Sequence, residues 1–194
     1  MPSAMPSATP EKILINKNLL YKRDWKSGRL IKNGDLSLFL FSFSFLQPMK
    51  LSAASHRKLE SFFRTYFRND DFNLPEIYFY AGKLTRILTR LINVHGITFG
   101  RRIFIEPRLI SFNLKNQPRL SNDLAAHEIA HTLQYRREGF SNFLYKYFSE
   151  YRKNLRKFKK PDAEARHQAY LNISFEIEAR EIAHKFVEWK LNEK

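Results

Sequence analysis

The sequence contains no cysteine, only six glycines and no long apolar run. The lack of cysteine excludes disulfides, iron–sulfur clusters, thiol nucleophiles and every zinc site that uses a thiolate ligand. A bound metal ion would therefore depend on Asp, Glu and the six histidines of the chain. The small number of glycines excludes collagen-like and Gly-rich linker sequence.

The apolar runs are too short for a membrane-spanning helix, which needs about 20 apolar residues. The most apolar run, residues 36–46, is interrupted by serines. It is also a poor signal peptide, because it lies far from the start of the chain and Gln47-Pro48 is not a small-residue cleavage site. We therefore expect a buried strand here and a cytoplasmic protein, with export by a route without a signal peptide left open.

The chain is strongly basic. Its 34 Lys and Arg against 19 Asp and Glu give a net charge of +15, which permits anionic partners such as nucleic acid, phospholipid or acidic protein surfaces. Seven of the basic residues lie between Lys146 and Lys160. This stretch is interpreted as a solvated helix face, with nonspecific phosphate binding as the functional alternative. Tyr147 and Phe148 within it are expected in the core.

A length of 194 residues, 43% of them hydrophobic, predicts one folded domain. Residues 1–48 lack clean periodicity and are interpreted as an N-terminal accessory arm, partly disordered. Residues 49–194 are expected to fold and to bind metal without the arm.

The order of predicted elements gives the fold class. Helical periodicity begins at Ser52, and short strands are expected at residues 77–80 and 97–105, the second bent at Gly100. Three helices follow, beginning near residues 122, 140 and 172. Helices and strands that do not alternate predict a mostly helical α+β fold with a small sheet.

Residues 127–131 read His-Glu-Ile-Ala-His, an H-E-x-x-H motif on a predicted helix with Ser121 as its N-cap. Residues four apart lie on one helix face, so His127 and His131 can bind the same zinc ion. Glu128 lies beside them and can act as the general base without ligating the metal.

A catalytic zinc site needs a third protein ligand. Glu176 is favoured, because Ile173, Ala179 and Ala183 form a small apolar stripe around it that can pack on the zinc helix. The alternatives that remain open are Glu178, Glu181, His167 and His184.

These motifs resemble those of a known family. Residues 124–134 resemble the active helix of zincin metallopeptidases, and Glu176-Ile177-Glu178-Ala179 is similar to the E-x-x-A element of gluzincins. The closer resemblance is to small bacterial zincin-like domains of poorly defined function, which carry a strand before the helix and a Gln at the place of Gln134. The resemblance implies zinc held by His127, His131 and Glu176.

One departure from the gluzincin pattern affects the site. Gluzincins of this type usually carry Asp after E-x-x-A, where this chain has Arg180. One of the two histidines then needs another partner to orient it.

The predicted function is zinc-dependent hydrolysis of peptide bonds, with Glu128 as general base and Tyr170, Arg180 or His184 stabilising the oxyanion. The strand at residues 97–105 would pair with an extended peptide substrate. The alternative is a non-catalytic zincin scaffold that docks an anionic partner through its basic surface. The sequence does not determine the substrate or the oligomeric state.

Overall fold

The chain folds into the α+β structure that the order of elements predicted. The computed structural model describes residues 13–17, 48–91, 94–114 and 116–193. Within these segments, no helix is both long enough and apolar enough to cross a membrane. The helices of the described part are α1 (Ala53–Phe67), α2 (Lys83–Leu91), α3 (Asn122–Glu138), α4 (Phe140–Leu155), α5 (Ala163–Leu171) and α6 (Ser174–Asn192).

The sheet is small because every strand is short. A 3₁₀ turn at Pro107–Leu109 separates its fifth and sixth strands. The strands are β1 (Ile13–Lys17), β2 (Met49–Leu51), β3 (Tyr78–Tyr80), β4 (Gly96–Phe99), β5 (Arg102–Ile105), β6 (Ser111–Phe112) and β7 (Pro118–Leu120).

The sheet order is β4-β5-β3-β2-β1-β7-β6, so β4 lies at one edge. Only the β3–β5 pair is parallel among the strands described. The expectation of a single strand over residues 97–105 is wrong. Gly96 pairs with Ile105 and Phe99 with Arg102, which makes β4 and β5 a hairpin. Gly100 has a φ of 59° in its turn, a left-handed conformation that favours glycine.

Strand β1 belongs to the predicted accessory arm, yet it lies inside the sheet. Its residues pair with β2 on one side and with β7 on the other, both antiparallel. The arm therefore contributes a strand to the fold. The boundary at residue 48 stays a prediction, and the apolar run at residues 36–46 lies outside the described residues.

Helix α3, which carries the H-E-x-x-H motif, begins and ends where local signals predicted. Ser121 is the N-cap with extended backbone, Asp123 lies in the first turn, and Gly139 follows the last turn with a φ of 79°. Its rear face, which includes Ala126, Ile129 and Ala130, is fully buried in the main core.

The C-terminal half contains one more helix than predicted. Helix α5 begins at Ala163, and the side chain of its N-cap, Asp162, accepts a hydrogen bond from the backbone N–H of Ala165 at 2.8 Å. The last helix begins at Ser174, two residues later than expected. Asp162 is a normal N-cap residue and was an available signal, but a nine-residue helix shows little periodicity.

Candidate metal centre

Three side chains with metal-binding atoms converge between α3 and α6. His127 and His131 lie one turn apart on α3, with their Nε2 atoms 3.2 Å from each other. Glu176 Oε2 lies 3.3 Å from His127 Nε2, and Glu176 Oε1 lies 3.2 Å from His131 Nε2. The ligand atoms of these three residues all lie within 4.8 Å of one another. The structure thus brings together the two histidines and the carboxylate that the sequence favoured.

The packing of α6 on α3 explains why Glu176 reaches the histidines. Ala179 and Ala183, one and two turns after Glu176, are buried in the main core with α3. Small side chains on both helices let the backbones approach closely. Glu176 is consequently only 2% exposed, although it lies in the first turn of its helix.

The electrostatics of the cluster favour a cation beside Glu176. Burial alone would raise the pKa of Glu176, but the hydrogen bonds and charges of His127 and His131 outweigh it and hold the pKa well below the usual range. Burial alone would also lower the pKa of His131, yet Glu176 raises it to about 9. Positive charge is therefore stable at this position, because a buried carboxylate needs a counter-charge.

Two tyrosines fix the carboxylate. Tyr147, on α4, donates a hydrogen bond to Glu176 Oε1 at 2.7 Å, and Tyr170, on α5, donates one to Oε2 at 2.8 Å. Burial, followed by the charge of Glu176, raises the pKa of both hydroxyls, so they remain donors. Tyr147 was assigned to the core by sequence, and no local signal pointed to this contact.

Gln134 is the partner that orients His131. Its Nε2 donates to the carbonyl of Phe175 at 2.9 Å and to Glu178 Oε2 at 3.0 Å, so its Oε1 faces His131. His131 Nδ1, 2.8 Å from that oxygen, donates a hydrogen bond to it, and Nε2 faces Glu176. An amide thus takes the place of the missing acidic residue, while Arg180 instead donates to the carbonyl of Leu171.

The other candidates for the third ligand lie outside the cluster. Glu178 forms a two-pronged ion pair with Arg137, at 2.6 and 2.9 Å. Glu181 pairs with Lys185 at 2.6 Å. His184, with 74% of its side chain exposed, lies beside Glu188, and His167 is also exposed.

The edge strand β4 holds the carboxylate of Glu128. Thr98 Oγ1 donates to Glu128 Oε2 at 2.6 Å. Gly96 leaves the space that the carboxylate occupies, because a Cβ atom at this position would lie 2.3 Å from Glu128 Oε1. Glu128 is 3% exposed and is not one of the three clustered residues. The sequence predicted a strand here that pairs with substrate, but it gave no sign of these two contacts with Glu128.

The cluster lies between two cavities that share Glu128 and Tyr170. One, of about 180 Å³, is lined mainly by apolar and aromatic side chains and reaches His131. The other, of about 690 Å³, reaches His127 and has polar groups on its wall, among them Asp123 and Arg180. Glu128 therefore borders both cavities, although little of its surface is exposed.

The donor set fits zinc. Two imidazole nitrogens and one carboxylate are the ligands of many catalytic zinc sites, in which a fourth position stays open. The hydrogen bond from His131 to Gln134 and the two tyrosine hydroxyls on Glu176 supply the outer contacts that hold such ligands in place. These residues could hold a metal ion, and zinc is the ion we expect.

Comparisons with known proteins identify part of this arrangement. No curated protein and no solved structure matched the chain. A comparison with protein families matched residues 50–139 to the eCIS core domain, a zincin-like, metallopeptidase-associated domain of extracellular contractile injection systems. The match covers slightly less than half of the chain, contains the whole of α3 and ends before Glu176. Over these residues the chain is similar to a zincin-like scaffold.

Proposed function

We propose that the chain is a zinc-dependent peptidase that hydrolyses peptide bonds, with zinc held by His127, His131 and Glu176. The observation that carries this proposal is the convergence of the three ligand atoms beside a buried Glu128 that lines both cavities. A metal site that only stabilised the fold would not need this additional carboxylate.

Each residue has a role in this reaction. The zinc ion, when bound, supplies Lewis acidity toward the scissile carbonyl. Glu128 takes a proton from the attacking water as a new C–O bond forms, and it later gives that proton to the leaving nitrogen as the C–N bond breaks. The second proton of the water also passes to the leaving nitrogen, so the products are a carboxylate and an ammonium group, and Glu128 returns to its starting form.

Thr98 and Gly96 position the general base. The hydroxyl of Thr98 donates a hydrogen bond to Oε2 of Glu128, and Oε1 lies close against Gly96 of β4. The carboxylate is therefore held in one orientation before substrate binds, which lowers the entropic cost of the proton transfer.

Tyr170 is the proposed donor to the oxyanion. Of the three residues that the sequence offered, it is the one that lines both cavities. Its hydroxyl lies 2.8 Å from Glu176 Oε2, whereas Arg180 is bound to the carbonyl of Leu171 and His184 is 74% exposed. The hydroxyl has a single proton, so in this role it turns from Glu176 Oε2 toward the charge that develops on the carbonyl oxygen.

The test uses the purified full-length chain. We expect elemental analysis to find one zinc ion per chain, and mass spectrometry to detect cleavage of a peptide mixture that a chelator stops and zinc restores. Glu128→Gln should retain zinc and lose cleavage, since the amide cannot accept the proton. Cleavage that survives both the chelator and Glu128→Gln would reject the proposal.

The second candidate function is a non-catalytic module that binds an anionic partner. Exposed basic residues at the end of α4, including Arg152, Lys153 and Arg156, favour it. Because the family match is to a domain of extracellular contractile injection systems, the partner would be a component of such an assembly. A chain that holds zinc but cleaves no peptide in the test above would support this second function.

A further inference from the structure

One stripe of α4 changes from apolar to basic along the helix. Leu144, Phe148, Arg152 and Arg156 follow one another at intervals of four residues, which places them on a single face. Leu144 is half-buried, and the two arginines are exposed. Phe148 was expected in the core, but it is 57% exposed.

The stripe connects the metal centre to the basic end of the helix. Leu144 and Phe148 line the apolar cavity of about 180 Å³ that reaches His131 and Glu176. The same two side chains line a more open groove of about 660 Å³, whose other walls include the basic residues of α4. A chain bound in the apolar cavity could therefore continue along α4 toward the basic end.

The basic end of α4 has no acidic partner among the residues that the structure describes. In the described part of the chain, no carboxylate oxygen lies within ion-pair distance of Arg152, Lys153 or Arg156. Glu150, the nearest acid in sequence, instead accepts hydrogen bonds from the backbone N–H and the hydroxyl of Ser174, at 2.7 and 2.8 Å. The positive potential of these side chains is thus available to a ligand.

We propose that this groove binds a segment of the peptide substrate that carries an apolar side chain next to the scissile bond and acidic side chains beyond it. The inference rests on the proposed peptidase function. With a rise of about 1.5 Å per residue, Arg152 and Arg156 lie about 6 and 12 Å along the helix from Phe148. An extended peptide advances about 3.3 Å per residue, so the acidic side chains are expected two to four residues from the apolar one.

A peptide fits this surface better than other anions. Sites that bind the phosphate backbone of a nucleic acid present basic groups continuously along the bound strand. Here the basic surface gives way to apolar side chains at Phe148 and Leu144, which lead to the metal centre. A peptide with acidic residues at one end and an apolar residue at the other matches both the basic part and the apolar part of the groove.

The experiment measures peptide binding separately from cleavage. Fluorescence anisotropy is recorded with full-length Glu128→Gln protein and labelled peptides that carry one Phe. In one set, two Asp lie two and four residues from the Phe, on its N-terminal or its C-terminal side. In the matched set, Asn replaces both Asp. The groove should prefer one of these two directions. In that direction we expect the Asp peptide to bind about tenfold more tightly than its Asn counterpart, and we expect this difference to shrink at high salt.

Reversal of the charges on α4 tests whether the arginines there recognise the acidic peptide. Arg152→Glu combined with Arg156→Glu should remove the preference for the acidic peptide. The matched control is Arg86→Glu with Arg90→Glu, two exposed arginines four residues apart on α2, which changes the net charge equally. Thermal unfolding of each variant shows whether it is folded, and a second pair, Arg152→Gln with Arg156→Gln, gives the same comparison without reversed charge.

The outcomes separate this proposal from the proposed function. Equal binding of Asp and Asn peptides, or equal losses in the α4 and α2 variants, overturns the groove proposal even if the wild-type chain cleaves peptides. Binding of a single-stranded oligonucleotide or of phosphatidylserine vesicles that depends on Arg152 and Arg156, without binding of the acidic peptide, also overturns it. Charge-dependent peptide binding without cleavage by the wild-type chain supports the groove and rejects the peptidase.

Discussion

Gly96 and Glu128 are in such close contact that Gly96 has no room for a side chain. A Cβ atom on Gly96 would lie 2.3 Å from Glu128 Oε1 and 2.6 Å from its Cδ. The edge strand of the sheet and the H-E-x-x-H helix therefore meet at the proposed general base. The position of this carboxylate depends on a backbone contact as well as on the hydrogen bond from Thr98.

Gly96→Ala should consequently reduce catalysis without removing the metal. The added methyl group must displace the carboxylate of Glu128, and a displacement of about 1 Å can cost about 100-fold in rate. The three atoms nearest to the added methyl group all belong to Glu128, and none belongs to His127, His131 or Glu176. The measurement is kcat/KM together with zinc content.

Gly100→Ala is the matched control, because it lies in the same hairpin and a Cβ atom there would meet nothing within 4 Å. Its positive φ makes alanine strained, so this variant should lose about 1 kcal/mol of stability but keep its activity. Equal activity of the Gly96 variant and the wild type would show that Glu128 does not depend on this contact.

The helix and the site residues on it could be predicted because their signals are local. Ser121, Asp123 and Gly139 fix the ends of α3, and the motif spacing places His127 and His131 on one face. Glu176 could be singled out because the small apolar stripe around it indicated close helix packing. Its proximity to the histidines follows from that packing, and its role as a ligand stays a prediction.

The sheet and the outer contacts could not be predicted from local patterns. The pairing of β1 with β2 and β7 joins segments far apart in sequence, and strands of two to five residues carry little periodicity. Tyr147 and Phe148 are neighbours on α4, yet one contacts Glu176 and the other is exposed. Which of them lies inward depends on where α4 packs, which the sequence alone does not determine.

Glu176→Gln should remove the metal, whereas Glu178→Gln should retain it. Glutamine keeps an acceptor oxygen for one of the two tyrosine hydroxyls, but it replaces the other oxygen with an NH2 group and removes the negative charge of the ligand. We therefore expect zinc affinity to fall by more than about 100-fold. At Glu178 the same change removes the ion pair with Arg137, which is half-exposed and contributes up to about 1 kcal/mol. It also alters one acceptor of Gln134, whose hydrogen bond to the carbonyl of Phe175 remains. Zinc titration and thermal unfolding with and without chelator measure both effects.

The Glu178 variant also has a pH signature. The hydrogen bond from Arg137 lowers the pKa of Glu178 below its ordinary value of 4.5. A lowered pKa gives stability that is fully present above about pH 4.5 and is lost as the pH falls through the folded-state pKa. The difference in unfolding temperature between wild type and Glu178→Gln should therefore be largest near neutral pH and should shrink in acid. Loss of zinc by this variant instead would mean that Glu178 is the ligand.

Gln134→Met should weaken metal binding although Gln134 is not a ligand. The methionine fills the same space but cannot accept the hydrogen bond from His131 Nδ1 or donate to the carbonyl of Phe175. Loss of such an outer contact typically costs 10–100-fold in metal affinity. Gln134→Glu combined with Glu178→Gln is the informative partner variant, because it restores an acceptor for His131 without placing two carboxylates side by side. It should bind zinc more tightly than Gln134→Met, and equal affinities would exclude the orienting role.

Deletion of residues 1–48 should lower stability and leave the metal centre in place. Strand β1 lies between β2 and β7, so its removal leaves their backbone groups without these partners and creates two new sheet edges. Several lost hydrogen bonds of about 1 kcal/mol each correspond to a fall of about 10 °C in unfolding temperature. The metal centre is on α3 and α6 beside β4, four places from β1 in the sheet order. The truncated chain should therefore still bind one zinc ion.

A chain that lacks only residues 1–12 keeps β1 and should unfold at the wild-type temperature. If residues 49–194 fail to bind zinc, the predicted domain boundary is wrong and the arm is part of the domain.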